Sequence, residues 1–230
     1  MHTSVIIPAA GIGERMGSAI GKQFLSIKGT PIIIHTLRCF QASDAIDEII
    51  IVTREESFAM LETLLAEASL SKVRPLVKGG ARRQDSVAHG LAAVAPSTEI
   101  VLVHDAVRPF VRASTIAQVA DAARHFGAAI AAVRAKDTIK QAGTDGRVAA
   151  TLDRSLLWNV QTPQGFRTEL LREAYARALE ENFDATDDSM LVERLGIHPV
   201  IVEASYENIK ITTPDDLLLG ELLAERSMFR

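Results

Sequence analysis

Val5-Ile6-Ile7-Pro8-Ala9-Ala10-Gly11-Ile12-Gly13-Glu14-Arg15-Met16-Gly17 begins as a β-branched apolar run and ends in a loop of small residues. A run that is apolar at every position rather than every second one has two buried faces, the pattern of a central parallel strand. Small residues after Pro8 let a ligand approach the backbone closely, and consecutive N–H groups in such a loop make an anion-binding concavity. Arg15 and Lys22 follow, two cations able to neutralise phosphate charge that amides offset only in part. The spacing separates this loop from better-known glycine motifs: three residues stand between Gly13 and Gly17, where the dinucleotide fingerprint has two. The next apolar strand ends in Thr53-Arg54 instead of an acid for a ribose hydroxyl, and no GK[ST] sequence is present, so nicotinamide and P-loop readings are disfavoured.

Outward from this stretch, similar runs recur at Ile49-Ile50-Ile51-Val52, Ile100-Val101-Leu102-Val103 and Ala129-Ile130-Ala131-Ala132-Val133. Amphipathic segments lie between them. Thr30-Pro31 reads as a capping residue followed by proline at the first helical position, with Ile34, Leu37 and Phe40 at helical spacing. Further helices are expected over 55–67, 85–94 and 114–126, the last closed by Gly127. The alternation predicts an α/β fold, a Rossmann-like doubly wound, mostly parallel sheet in one domain over 1–230, with its ligand site beyond the carboxyl ends of the strands. The rhythm breaks where Thr138-Ile139-Lys140-Gln141 and Val148-Ala149-Ala150-Thr151 flank Gly143-Thr144-Asp145-Gly146, which predicts a protruding β-hairpin arm at about 137–160. Val200-Ile201-Val202 reads as a late strand, and Thr213-Pro214 opens a closing helix through Leu217, Leu218 and Leu222.

At 230 residues, 47% hydrophobic and 23% charged, the chain can bury a substantial core. A formal net charge of -4 argues against nucleic acid as a ligand, so phosphate recognition must come from a few placed cations and amides. Cys39 is the only cysteine, which excludes an intrachain disulfide and a cysteine-based metal cluster; beside Leu37 and Phe40 it reads as a packed thiol. With no basic segment before the first strand and no apolar run long enough to span a bilayer, the expected location is the cytoplasm, without membrane contact.

His104-Asp105 directly follows an apolar strand, which puts Asp105 at the strand's carboxyl end, where a lone carboxylate can hold Mg²⁺ between phosphates; pairing with Arg108 is the alternative. His104 reads as a packed or hydrogen-bonded histidine. Five blocks carry a resemblance over the whole chain: Pro8-Ala9-Ala10-Gly11 through Lys22-Gln23-Phe24; Gly79-Gly80-Ala81-Arg82-Arg83-Gln84-Asp85-Ser86-Val87; His104-Asp105-Ala106-Val107-Arg108-Pro109; Gln161-Thr162-Pro163-Gln164; and Asn208-Ile209-Lys210. The first resembles the nucleotidyltransferases that activate sugar phosphates, and together they resemble the 2-C-methyl-D-erythritol 4-phosphate cytidylyltransferases.

The resemblance implies that Pro8, Ala9, Ala10, Gly11, Gly13, Arg15 and Lys22 surround the phosphates of CTP and that Gly80, Arg83, Ser86 and Ala106 lie around its cytosine and ribose. It places Asp105, Arg108, Thr138, Arg154, Thr162, Thr186, Asp187 and Lys210 at the second substrate, with Arg15, Lys22, Arg154 and Lys210 as the catalytic cations. It also implies Mg²⁺ and a homodimer in which the arm embraces a second subunit. Ala81 departs from the Asn or Asp common in the family, which leaves base recognition there to the main chain. Ribitol 5-phosphate is the alternative substrate, disfavoured by Trp158 with Gln161-Thr162-Pro163-Gln164. A catalytically silent nucleotide-binding protein is a further alternative, disfavoured by intact Lys22, Asp105 and Lys210.

Overall fold

The computed structural model describes residues 2–11 and 21–228. Its centre is a seven-stranded sheet formed by β1 (His2–Pro8), β4 (Glu48–Thr53), β5 (Val77–Lys78), β6 (Thr98–Val103), β7 (Ala128–Arg134), β10 (Trp158–Arg167) and β11 (Val200–Glu203). These run in the order β11-β7-β10-β6-β1-β4-β5. Every neighbouring pair is parallel except those of β10, which is antiparallel to both β6 and β7. Two small ribbons stand apart from this sheet, β2 (Ser26–Ile27) with β3 (Thr30–Pro31), and β8 (Lys140–Ala142) with β9 (Val148–Thr151).

Strand parity divides the core in two. Val5 and Ile7, Ile49 and Ile51, Ile100 and Leu102, and Ala129 and Ala131 face one way. They pack against α1 (Ile32–Gln41), α2 (Phe58–Ala68) and α4 (Ala113–Phe126). Ile6, Ile50, Val52, Val101, Val103, Ala128 and Phe166 face the other way, against α3 (Arg83–Ala93), α5 (Thr168–Glu180) and α6 (Asp188–Glu193). Because both faces are covered, the strands are apolar at consecutive positions, which is why they were legible as runs. α7 (Pro214–Met228) seals a third cluster through Ala224 with Ile27, Ile32, Val107 and Ile211. Among the described residues, no helix is long and apolar enough to cross a membrane.

The chain leaves β1, builds outward through β4 and β5, then returns through α3 to form β6 on β1's other side. The strand order reverses there, and the carboxyl ends of β1 and β6 diverge to leave a crevice.

Several boundaries differ from the sequence expectation. Pro31 is the residue before the first helical one, because Thr30-Pro31 pairs with Ser26-Ile27 as a ribbon and α1 starts only at Ile32. The helix expected over 55–67 is a 3-10 turn at Glu55–Ser57 followed by α2. α3 starts two residues early, with the Asp85 carboxylate accepting the Arg82 N–H at 3.0 Å. Gly127 closes α4 as expected, at φ 90 with its N–H on the Ala123 carbonyl. The largest omission is β10, for whose second half the sequence suggests no element and whose start falls within the expected arm. Its register shifts between Val160 and Gln164, so the proline without an N–H falls where the ladder is interrupted. The ribbon of the arm is β8 and β9, and Trp158 already pairs with Arg134 in the main sheet. Helices α5 and α6 were not anticipated.

Close packing of α3 on β1 gives a direct test. A Cβ on Gly90 would lie 2.5 Å from Ile6 Cγ2 and 2.9 Å from Val52 Cγ2. Alanine gains about 1 kcal/mol in helix propensity over glycine, but overpacking a close-fitted core costs about 1–3 kcal/mol. Gly90→Ala is therefore expected to lower Tm by about 2–4 °C in thermal denaturation; a higher Tm would show that α3 is free to move away from β1.

Candidate active site

The crevice between β1 and β6 is lined by Pro8, Ala9, Ala10, Gly11, Lys22, Gly80, Arg83, Ser86, Asp105, Ala106 and Lys210 among others. On the β1 side, the Ala9 N–H donates to the Val52 carbonyl at 2.7 Å. Its carbonyl accepts from Gln23 Nε2 at 2.7 Å and Thr53 Oγ1 at 3.3 Å. Gln23 thereby ties Lys22 back to the loop it follows. The Ala9 N–H is thus engaged within the sheet, and Ala9 lines the crevice by its shape. Gly13 and Arg15 lie outside the described residues.

The opposite wall is the Gly79-Gly80 turn. Gly79 donates to the Thr53 carbonyl at 2.8 Å, and a Cβ there would stand 2.6 Å from Ala10 Cβ. A Cβ on Gly80 would stand 2.4 Å from Asp85 Cβ, so this glycine is needed by the protein's own packing and not only by a ligand. The Gly80 N–H donates to Ser86 Oγ at 3.1 Å, and the same hydroxyl donates to the Arg82 carbonyl at 3.1 Å. Ser86 therefore builds the turn, and its proton is spent inside it.

At the end of β6, Asp105 is buried and surrounded by cations. Lys210 Nζ lies 2.8 Å from Oδ2, Arg83 Nε 3.4 Å from Oδ1, and Arg108 Nε 3.7 Å from Oδ2. Burial alone would raise its pKa; Arg83, Lys210 and Arg108 outweigh that and hold the carboxyl well below the usual carboxylate range. The expectation of a lone carboxylate available to Mg²⁺ is corrected: Asp105 serves as the shared counter-charge of three cations.

Asp188 is the functional residue most clearly missed. Only 1% exposed, it takes Arg83 Nη2 at 2.8 Å on one oxygen and the Tyr175 hydroxyl at 2.6 Å on the other. Burial opposes the charge of Arg83, but Asp188 and Asp105 hold its pKa above the ordinary guanidinium value. Asp187 suffices to cap α6, so the second acid of that pair was the available signal that something else is held.

The loop bearing Lys210 is stapled to β10 by Asn208, whose Nδ2 donates to Gln161 Oε1 at 2.9 Å and to the Thr162 carbonyl at 2.8 Å. Arg108 Nη1 donates to the Asn208 carbonyl at 2.8 Å, which ties Arg108 to the same loop. Thr36 Oγ1 donates to the carbonyl of Ala106 at 2.8 Å. The fully buried His104 has its pKa pushed down to about 4, chiefly by burial. Cys39, its thiol raised to about 11 by burial, points at the carbonyls of His35 and Pro109, consistent with a packed thiol.

Five further expected substrate contacts do not line the crevice. Thr138 and Arg154 are exposed on the arm, where Arg154 Nη1 donates to the Lys136 carbonyl at 3.0 Å. Thr186 is exposed, its hydroxyl near Met190 Sδ at 3.7 Å. Asp187 is engaged by Gln164 Nε2 at 2.7 Å and by the Met190 N–H at 3.0 Å. Thr162 is buried, and its hydroxyl meets the Asp105 N–H at 3.1 Å and His104 Nδ1 at 3.1 Å.

Comparison with known proteins identifies the family. A family model described as "IspD: 2-C-methyl-D-erythritol 4-phosphate cytidylyltransferase" matches residues 3–226. A 2-C-methyl-D-erythritol 4-phosphate cytidylyltransferase of Syntrophus aciditrophicus is 46% identical over 222 residues, covering 96% of this chain and 95% of its own. One of Bacillus velezensis is 48% identical over 224 residues, with coverage of 97% and 96%. The crystal structure of the 4-diphosphocytidyl-2C-methyl-D-erythritol synthase of Anaerococcus prevotii superposes with a TM-score of 0.89 at 33% identity, covering 98% of this chain and 96% of that one. A match over nearly the whole length, together with a cation-lined crevice at the strand switch, establishes that this chain belongs to the 2-C-methyl-D-erythritol 4-phosphate cytidylyltransferase family.

Proposed function

We propose that this chain transfers the CMP moiety of CTP to 2-C-methyl-D-erythritol 4-phosphate, giving 4-diphosphocytidyl-2-C-methyl-D-erythritol and pyrophosphate on the way to isoprenoid precursors. The observation that carries the reading is the convergence of Lys22, Arg83 and Lys210 on one crevice around Asp105, with Arg108 against the same carboxylate. Three cations and the two carboxylates Asp105 and Asp188 leave this cluster net positive, before Lys22 is counted. That balance suits a site that must bring two phosphate-bearing anions together.

The nucleophile is a phosphate oxygen of the sugar-alcohol phosphate. A phosphomonoester's second pKa is about 6, so it is largely dianionic at neutral pH and no protein base is required. Its oxygen bonds to the α-phosphorus as the bond to the departing pyrophosphate breaks, and no proton need move. The protein's task is to hold the anions in line and stabilise the charge that builds up. Lys22 and Lys210 are assigned to the α-phosphate, Arg15 to the outer phosphates, and Arg108 and Arg154 to the acceptor. Ion pairing with Asp105 keeps the half-exposed Lys210 ammonium inside the crevice instead of in solvent.

The donor set does not fit a resident divalent ion. Among the described residues no three His, Cys, Asp or Glu side chains are grouped to hold one, and the carboxylate of Asp105 is shared by three cations. Mg²⁺ is therefore placed with the triphosphate, as part of the nucleotide substrate, and no step is assigned to it.

The arm presents Val148, Leu156 and Leu152 to solvent at 63%, 77% and 37% exposure. Exposed apolar side chains on an arm outside the main sheet support a homodimer in which this surface is covered. Arg154 then completes the partner's site.

The direct test is pyrophosphate release from CTP and Mg²⁺, with 2-C-methyl-D-erythritol 4-phosphate and ribitol 5-phosphate offered separately. Release with the first alone is expected; release only with the second would replace the acceptor. Lys22→Ala and Lys210→Ala should each lower kcat by about a hundredfold or more, and near-normal turnover in both would refute the roles given to them. Mixing inactive Arg154→Ala with inactive Lys22→Ala protein should restore part of the activity, whereas no recovery despite demonstrated subunit exchange would place Arg154 in its own subunit's site.

A further inference from the structure

The transfer reaction leaves the buried imidazole of His104 without a task. His104 is wholly buried, its ring centroid 4.7 Å from that of Phe40, and it occupies the last position before Asp105. Its hydrogen bonds can be given directions from chemistry alone. Nε2 lies 3.1 Å from the Arg108 carbonyl; a carbonyl only accepts, so Nε2 carries the proton. The Asp105 backbone N–H, 3.1 Å from Thr162 Oγ1, only donates, so the Thr162 oxygen accepts there. The hydroxyl's own proton is then directed at His104 Nδ1, 3.1 Å away, which accepts in a neutral ring. One arrangement satisfies every partner: Asp105 N–H to Thr162 Oγ1, Thr162 O–H to His104 Nδ1, and His104 Nε2–H to the Arg108 carbonyl.

This chain of bonds closes on itself around a turn. The Arg108 N–H donates to the Asp105 carbonyl at 3.1 Å, and the His104 N–H donates to β1 at the Ile6 carbonyl, 2.9 Å away. The imidazole therefore spans, from inside, the turn whose two ends carry the carboxylate and the guanidinium of the site. Thr162 is its link to β10, and among the described residues it supplies the side-chain bond from β10 to the Asp105 amide.

We propose that His104 is a positioning residue: held as the neutral, Nε2-protonated imidazole between Thr162 and the Arg108 carbonyl, it fixes the 104–108 turn and so sets where Asp105 and Arg108 stand in the crevice. On this view the Thr162 hydroxyl, expected from family resemblance to meet substrate, has its proton spent within the protein and acts on Asp105 instead. The inference rests on the assignment of Asp105 and Arg108 to the site of the proposed transfer reaction.

The test compares Thr162→Val, Thr162→Ser, His104→Phe and the Thr162→Val/His104→Phe double variant. The measurements are steady-state kinetics together with hydrogen exchange at the Asp105 backbone amide. Leaving a buried donor without its acceptor should lower kcat by about tenfold in each single valine or phenylalanine variant, with KM for CTP within about twofold of the parent. The Asp105 amide should exchange faster in both. Because the two side chains belong to one chain of bonds, the double variant should lose no more than the worse single, and Thr162→Ser should recover most of what valine loses. Undiminished kcat and amide protection in Thr162→Val, or losses that multiply in the double variant, would overturn the proposal. If His104→Phe fails to fold, the valine and serine pair decides alone. Amide exchange reads the inference even if the parent protein turns over neither acceptor, an outcome that would defeat the functional reading instead.

Discussion

Asp105 joins β6 to everything that makes the crevice chemically distinct. Its carboxylate gathers Lys210 from the loop after β11, Arg83 from the start of α3 and Arg108 from its own turn. These residues come from three separate parts of the chain, and Asp105 is the carboxylate they share, although Arg83 is also held by Asp188 and Arg108 by the Asn208 carbonyl. An ion cluster of this kind is costly to bury and worth little as net stability, but removing one member leaves the others uncompensated. Its value here is geometric: it fixes three cations at the mouth of a switch point and leaves the site net positive. Because the carboxyl titrates below its ordinary value, the stabilisation from this pairing is complete above the unfolded-state pKa and is lost as pH falls toward the depressed folded value.

Around that charge lies a second layer that keeps it in place. Asp188 and Tyr175 hold Arg83 from the α5–α6 side of the sheet, Asn208 ties the Lys210 loop to β10, and His104 with Thr162 braces the turn after β6. β10 takes part in two of these three contacts, which gives the one antiparallel strand of the sheet a role beyond filling a gap. Its polar residues Gln161, Thr162 and Gln164 are buried because they are needed as tethers, and each has a protein partner.

The elements legible in the sequence were those whose signal is local. Val5-Ile6-Ile7 announced a strand with two buried faces, the small residues after Pro8 announced a loop, and Gly127 announced a helix end. The crevice, with Lys22, Gly80, Asp105 and Lys210 on its walls, followed from a strand end and from family resemblance. What was not legible depended on distant parts of the chain. Gln161-Thr162-Pro163-Gln164 carries no strand signal of its own because its burial comes from β6 and β7 on either side. Asp188 reads as an ordinary acid at a helix start, since its partner Arg83 lies 105 residues away. The resemblance sets Gly80 beside the nucleotide, but nothing local in the sequence shows that the approach of Asp85 already demands a glycine there.

The claim that Asp105 is the charge on which the site is assembled can be tested most directly by following its side-chain carboxyl carbon by NMR as pH is lowered. The account predicts that the signal stays in its ionised position through the ordinary aspartate range, around pH 3.9, and moves only at lower pH. A titration midpoint at or above that ordinary value would show that Lys210, Arg83 and Arg108 are not held by this carboxylate, and the account built on it would fail.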